Sequence, residues 1–215
     1  MNKFVALLAG LTAAAASVPA VAVTTVSFNG GSGVLPANAA VIQDFESFAA
    51  GTPGAAIGPN AYVYSGSVGS QSARPAFGST GNFATVLTGG SYSIDFAPTK
   101  AFSFVLGSLD TYNTLTLKYE NGSSQAYIGG QIINDLTFPS GNQISGETNG
   151  VVTYSVASGP RIVGAVFQSS QNSFEVDNLA VAAVPEPAAW ALMIGGFGLV
   201  GAVSRRRKRQ PVAFA

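Results

Sequence analysis

Between residues 23 and 184, apolar and polar side chains alternate with a period of two in a series of short runs. This is the mark of strands buried on one face. Tyr92, Ile94 and Phe96 oppose Ser91, Ser93 and Asp95. Phe102, Phe104 and Leu106 continue the pattern, and Leu115, Leu117 and Tyr119 alternate with Thr114, Thr116 and Lys118. Val163, Ala165 and Phe167 form a further run, as do Phe174 and Val176. Gly89-Gly90, Asn121-Gly122, Gly129-Gly130, Asn149-Gly150 and Ser158-Gly159-Pro160 fall between such runs and supply the positive φ values and reversals that hairpins need. Asn121-Gly122, set between Leu115–Tyr119 and Gln125–Ile128, is the sharpest hairpin signal. No stretch of this region carries a 3.6-residue apolar period. Strands returning about every 8 to 12 residues predict an all-β fold, a single β-sandwich of jelly-roll-like type. Residues 47–82, rich in Gly, Ala, Ser and Pro, predict a long irregular excursion with one strand at Ala61–Tyr64. No internal repeat points to a solenoid or propeller.

The two ends break this pattern with unbroken apolar runs. At the first, Lys3 precedes an apolar stretch from Phe4 to Ala16, then Pro19, then Ala20-Val21-Ala22 with small residues at the two positions a signal peptidase inspects. Residues 1–22 read as a secretory signal peptide cut after Ala22; the alternative is an N-terminal membrane anchor. The domain left, residues 23–183, is large enough for one hydrophobic core. At the other end, residues 184–209 begin Val184-Pro185-Glu186-Pro187, continue through an apolar run and close on Arg205-Arg206-Arg207-Lys208-Arg209; residues 210–215 form a tail. The run predicts a transmembrane helix at 188–204, whose apolar part of roughly 24 Å falls a little short of the ~30 Å hydrocarbon core. Trp190 would sit at the outer interface and the basic cluster in the cytoplasm. The alternative is a buried core helix. Ala191, Gly195, Gly198 and Ala202 line one helix face with almost no side chain, as suits close approach of a membrane partner; an ordinary weak anchor is the blander account.

Taken in order, Pro185-Glu186-Pro187, the Trp190-containing run with Gly195, Gly196 and Gly198, and the cluster opening Arg205-Arg206-Arg207 resemble a PEP-CTERM sorting domain of the PEPxxWA variant. The resemblance covers only about the last 25 residues. It implies recognition by an exosortase, a multi-pass membrane enzyme, with cleavage near Pro185–Pro187 and transfer of the domain toward the cell surface and its exopolysaccharide. It further implies a Gram-negative source and an inner-membrane intermediate before the surface or extracellular matrix. The tail after Arg209 departs from the pattern, since such chains often stop soon after the arginines.

Composition narrows the function. Only 9% of the 215 residues are charged, and there is no Cys and no His, which excludes disulfides, thiol nucleophiles, imidazole bases and imidazole metal ligation. The formal net charge is zero, but five of the ten basic residues are the terminal cluster, leaving the middle acidic. Such a middle offers no basic face to phosphate, so nucleic acid is not an expected partner. Without His or Cys, catalysis would need a carboxylate pair or a Ser–Lys arrangement, and nothing in the spacing fixes either, so no enzyme is expected.

Two candidate sites remain. Asp44, Glu46, Asp177 and Asn178 fall near the two ends of the domain, and a jelly-roll that sets its first and last strands side by side would gather them into an oxygen-rich Ca²⁺ site; the alternative is solvent-facing strand residues. Asp110, Tyr112 and Asn113 join an aromatic ring to hydrogen-bonding groups, as a glycan site requires; the alternative is an Asx-turn in which Asp110 caps its own backbone. The expected function is that of an exported, non-catalytic surface or matrix protein, structural or adhesive in exopolysaccharide. Its expected processing partners are signal peptidase and an exosortase. A carbohydrate-binding module and a permanently anchored single-pass envelope protein are the alternatives.

Overall fold

A computed structural model describes residues 21–183 and 187–207, with the side chains of 187–191 and 206–207 excepted. In chain order the strands are β1 (Val23–Gly30), β2 (Ala39–Gln43), β3 (Ala56–Gly58), β4 (Ala61–Tyr64), β5 (Phe83–Val86), β6 (Gly90–Thr99), β7 (Ala101–Leu106), β8 (Asn113–Tyr119), β9 (Ser124–Ile128), β10 (Gly150–Ser158), β11 (Ile162–Ser169) and β12 (Phe174–Ala182). A 3-10 turn at Gly129–Ile132 follows β9, and helix α1 spans Pro187–Arg207. The protein is mostly β, in two antiparallel sheets. An eight-stranded sheet runs β1-β10-β7-β12-β5-β4-β3, with β2 also paired to β12. A four-stranded sheet runs β6-β11-β8-β9.

The alternation read from the sequence sorts side chains as expected on the small sheet. Along β8, Leu115, Leu117 and Tyr119 are buried while Thr114, Thr116 and Lys118 are half-exposed. On β6, Tyr92 is buried and Ser93 and Asp95 are exposed. The hairpin at Asn121-Gly122 joins β8 to β9, with Gly122 at φ 82° and Lys118 opposite Ser124. In β11 a register irregularity between Ile162 and Gly164 turns Ile162 inward, so the buried positions are not those of a strict Val163–Ala165–Phe167 alternation. Strand β7 is buried on every residue from Phe102 to Leu106, and β12 on its first four residues, so both faces are covered there.

Aromatic side chains join the sheets. The Phe167 ring from the small sheet meets Phe104 of β7 edge-on at 5.2 Å and Phe174 of β12 edge-on at 5.5 Å. Phe104 in turn stacks with Tyr154 of β10 at 6.4 Å. Such edge-to-face contacts add to the large apolar area these rings remove from water. The stretch 47–82 is mostly irregular, and its predicted strand appears at Ala61–Tyr64, with β3 as a short addition.

Helix α1 covers the segment expected to be helical and opens on Pro187, where a missing N–H leaves no hydrogen bond unmade. Every side chain described on it, from Leu192 to Arg205, is exposed; Leu192 is 77% and Phe197 72% accessible. A methyl group placed on Gly195, Gly196, Gly198 or Gly201 would meet nothing within 4 Å. The helix is therefore not a core element of the β domain. The span expected at 188–204 lies partly outside the described side chains, and among the described residues no helix is long and apolar enough to cross a membrane.

Candidate functional site

The large sheet and its loops enclose a polar cavity of about 270 Å³. The hydrogen bonds around it show why it forms. Glu175, in the central strand β12, is 1% exposed, and its Oε1 accepts the Ala73 backbone N–H at 2.9 Å and the Ser173 hydroxyl. Its Oε2 accepts the Ser108 hydroxyl at 3.4 Å. Burial pushes its carboxyl up to about 7, the negative charge of Asp110 adding to the effect while Ser173 and Ala73 pull it back. Gly107 packs so closely that an added methyl would lie 2.8 Å from the Glu175 Cβ.

Asp110, after β7, is buried and accepts the Ser140 hydroxyl at 3.0 Å on Oδ1. Burial raises its carboxyl and the Ser140 hydrogen bond opposes that rise. Gly141, at φ 72°, lies over this carboxylate; a methyl there would sit 2.7 Å from Asp110 Oδ1. The Tyr112 hydroxyl donates to the Asn172 backbone carbonyl at 2.5 Å, which ties the loop before β8 to the loop before β12.

The structure thus brings Asp110 and Tyr112 to one cavity and turns Asn113 away from it. Asn113 is fully buried; its Oδ1 accepts the Asp110 N–H at 2.8 Å, and its Nδ2 donates to Ser169 Oγ and the Ser173 carbonyl, each at 3.0 Å. The backbone cap in this turn is therefore supplied by Asn113 rather than Asp110. Glu175 was not among the residues singled out from the sequence. Its place in the cavity follows from the long-range pairing of β12 with β7, which no local pattern encodes.

The residues considered for Ca²⁺ are brought near one another by β2 pairing with β12, where Gln43 lies opposite Leu179. Among the described residues, no group of three or more His, Cys, Asp or Glu could hold a metal ion. Asp44 Oδ1 accepts the Glu46 N–H at 3.1 Å, and Glu46 Oε1 accepts the Asn82 N–H at 2.8 Å. Asn178, at φ 48°, donates its side chain to the Gly78 carbonyl at 2.9 Å. Asp177 is 2% exposed and accepts the Asn178 N–H at 2.7 Å; burial pushes its carboxyl up to about 6, against a downward pull from Ser79. These oxygens serve turn backbone.

At the start of the domain Ala20 lies outside the described residues, whereas Ala22 is 8% exposed and belongs to the hydrophobic core. Of the C-terminal signal, Pro185 and Glu186 lie outside the described residues, as do the side chains of Pro187, Trp190, Arg206 and Arg207; Gly195, Gly196, Gly198 and Arg205 stand on the exposed helix.

No curated protein and no solved structure matches the chain. A family model described as the PEP-CTERM protein-sorting motif matches residues 183–208, the segment that holds Pro185-Glu186-Pro187, helix α1 and the arginines. The motif supports exosortase-dependent sorting of an exported protein. Beside a β-rich body of two sheets, the chain carries a PEP-CTERM protein-sorting motif.

Proposed function

We propose that this chain is the exported precursor of a surface or extracellular-matrix β-sandwich, jelly-roll-like in type and structural or adhesive in exopolysaccharide rather than catalytic. The observation that carries the reading is the coincidence of the sorting motif at 183–208 with a helix whose described apolar side chains are all left exposed. An apolar helix that packs on nothing in its own chain needs a partner or a lipid environment. Before processing, the helix would hold the precursor at the membrane and meet the exosortase there. Its glycine face, open to solvent, admits the backbone of another helix at short range. The β body is then the cargo. Signal peptidase would act at the other end, near Ala20 and Ala22.

Replacing Pro185, Glu186 and Pro187 together with alanine, in the full chain in its own host, tests this. The expected outcome is accumulation of uncleaved precursor in the membrane fraction and loss of the surface form. Delivery of the triple variant to the surface at the wild-type level would overturn the reading.

A further inference from the structure

The cavity between the loops before β8 and β12 is not used by sorting, and its chemistry is specific. Its floor is formed by buried Asp110, Glu175, Ser108 and Ser173, and its rim by exposed Gln71 and Gln143. No Lys or Arg lines it. Above about pH 7, where Glu175 as well as Asp110 is ionised, two carboxylates with no cation beside them repel an anionic ligand. They also offer acceptors to a ligand rich in hydroxyl donors, while the rim amides both donate and accept. At about 270 Å³ it lies at the lower edge of ligand-sized pockets, which run from roughly 300 Å³ upward. That is room for one small ring, not for an extended chain. The half-exposed Tyr112 lines the same cavity and supplies an aromatic surface. A metal ion fits poorly, because the Glu175 oxygens already face the Ala73 N–H and the Ser108 and Ser173 hydroxyls, whose donor hydrogens repel a cation.

We infer that this cavity binds a single uncharged sugar unit, such as the exposed end of a neutral glycan, with its hydroxyls shared between Asp110 at the floor and Gln71 and Gln143 at the rim. Uronic acid units and sulfated sugars are refused by the carboxylates. The inference rests on the geometry of the β body and stands whether or not the C-terminal segment is processed, so its failure leaves the sorting reading untouched.

The test uses the purified full chain in detergent at about pH 8, where Glu175 is ionised, and ligand-observed NMR with glucose, galactose, mannose, glucuronate and calcium chloride as separate probes. At least one neutral hexose is expected to bind saturably, and glucuronate is not. Gln143→Ala, on the exposed rim where folding is not at stake, is expected to weaken the neutral sugar by about threefold to tenfold, the loss of one hydrogen bond. Glu175→Gln keeps the shape of the floor and removes its charge, and it is expected to admit glucuronate. Absence of saturable binding by all three hexoses overturns the proposal. So does equal binding of glucuronate by the wild type, calcium binding without sugar binding, or a Gln143→Ala variant that binds like the wild type.

Discussion

At the scale of single residues, the unusual groups are carboxylates placed inside. Glu175 titrates near 7 and Asp177 near 6 in the folded chain, against ordinary values of 4.5 and 3.8, because burial disfavours their charged forms. Between the ordinary and the raised values the folded state holds protons that the unfolded state has released, so stability must fall as pH rises through this window. At about 1.4 kcal/mol per pK unit, the two groups together make the domain a few kcal/mol more stable near pH 4.5 than near pH 8. Glu120, held low by its hydrogen bond from Arg161, and Asp135, held low by the Thr137 N–H, act in the opposite sense only at more acid pH, and both are exposed to screening solvent. Urea denaturation across this range is expected to show the decline, and Glu175→Gln to flatten it; a stability that rises from pH 5 to pH 8 would refute the assignment. Gly141 offers a second check. Its φ of 72° and the Asp110 oxygen beside it leave no room for a side chain. Gly141→Ala is expected to cost about 1 to 3 kcal/mol, measured as a shift of the denaturation midpoint.

Among the elements, β7, β11 and β12 hold the sheets together through Phe104, Phe167 and Phe174. Phe167 is fully buried and meets rings from both central strands, so Phe167→Ala is expected to cost about 3 to 5 kcal/mol. Lys118→Ala, which breaks the surface pair with Asp95, is expected to cost no more than about 1 kcal/mol. Equal losses in a denaturant titration would mean that the rings do not carry the packing. The strands whose two faces meet different environments were the legible ones: Leu115–Tyr119 alternates in sequence and in burial alike. The large sheet was harder to read. The runs at Phe102–Leu106 and Phe174–Val176 marked β7 and β12 in the sequence, but β10, with Val151, Val152, Tyr154 and Val156 buried, was not singled out and finds its neighbours β1 and β7 far away in sequence. The same remoteness hid Glu175 from the reading of the site. Asp110 and Tyr112 were visible because their polar loop is local, while the inward turn of Asn113 depends on Ser169 and Ser173, more than fifty residues on.

For the whole molecule, the division of labour is between a β body that packs its own core and a C-terminal helix whose described side chains pack on none of it. Removing residues 184–215 is expected to leave the thermal midpoint of the body unchanged within error; a clear drop would show that the helix contributes to the fold. The decisive quantity is the mass of the chain recovered from the cell surface or the culture medium. The account predicts a C-terminus between Val184 and Pro187, with α1 and the arginine cluster gone. A surface population whose intact mass still includes Arg205 to Arg209 would contradict it.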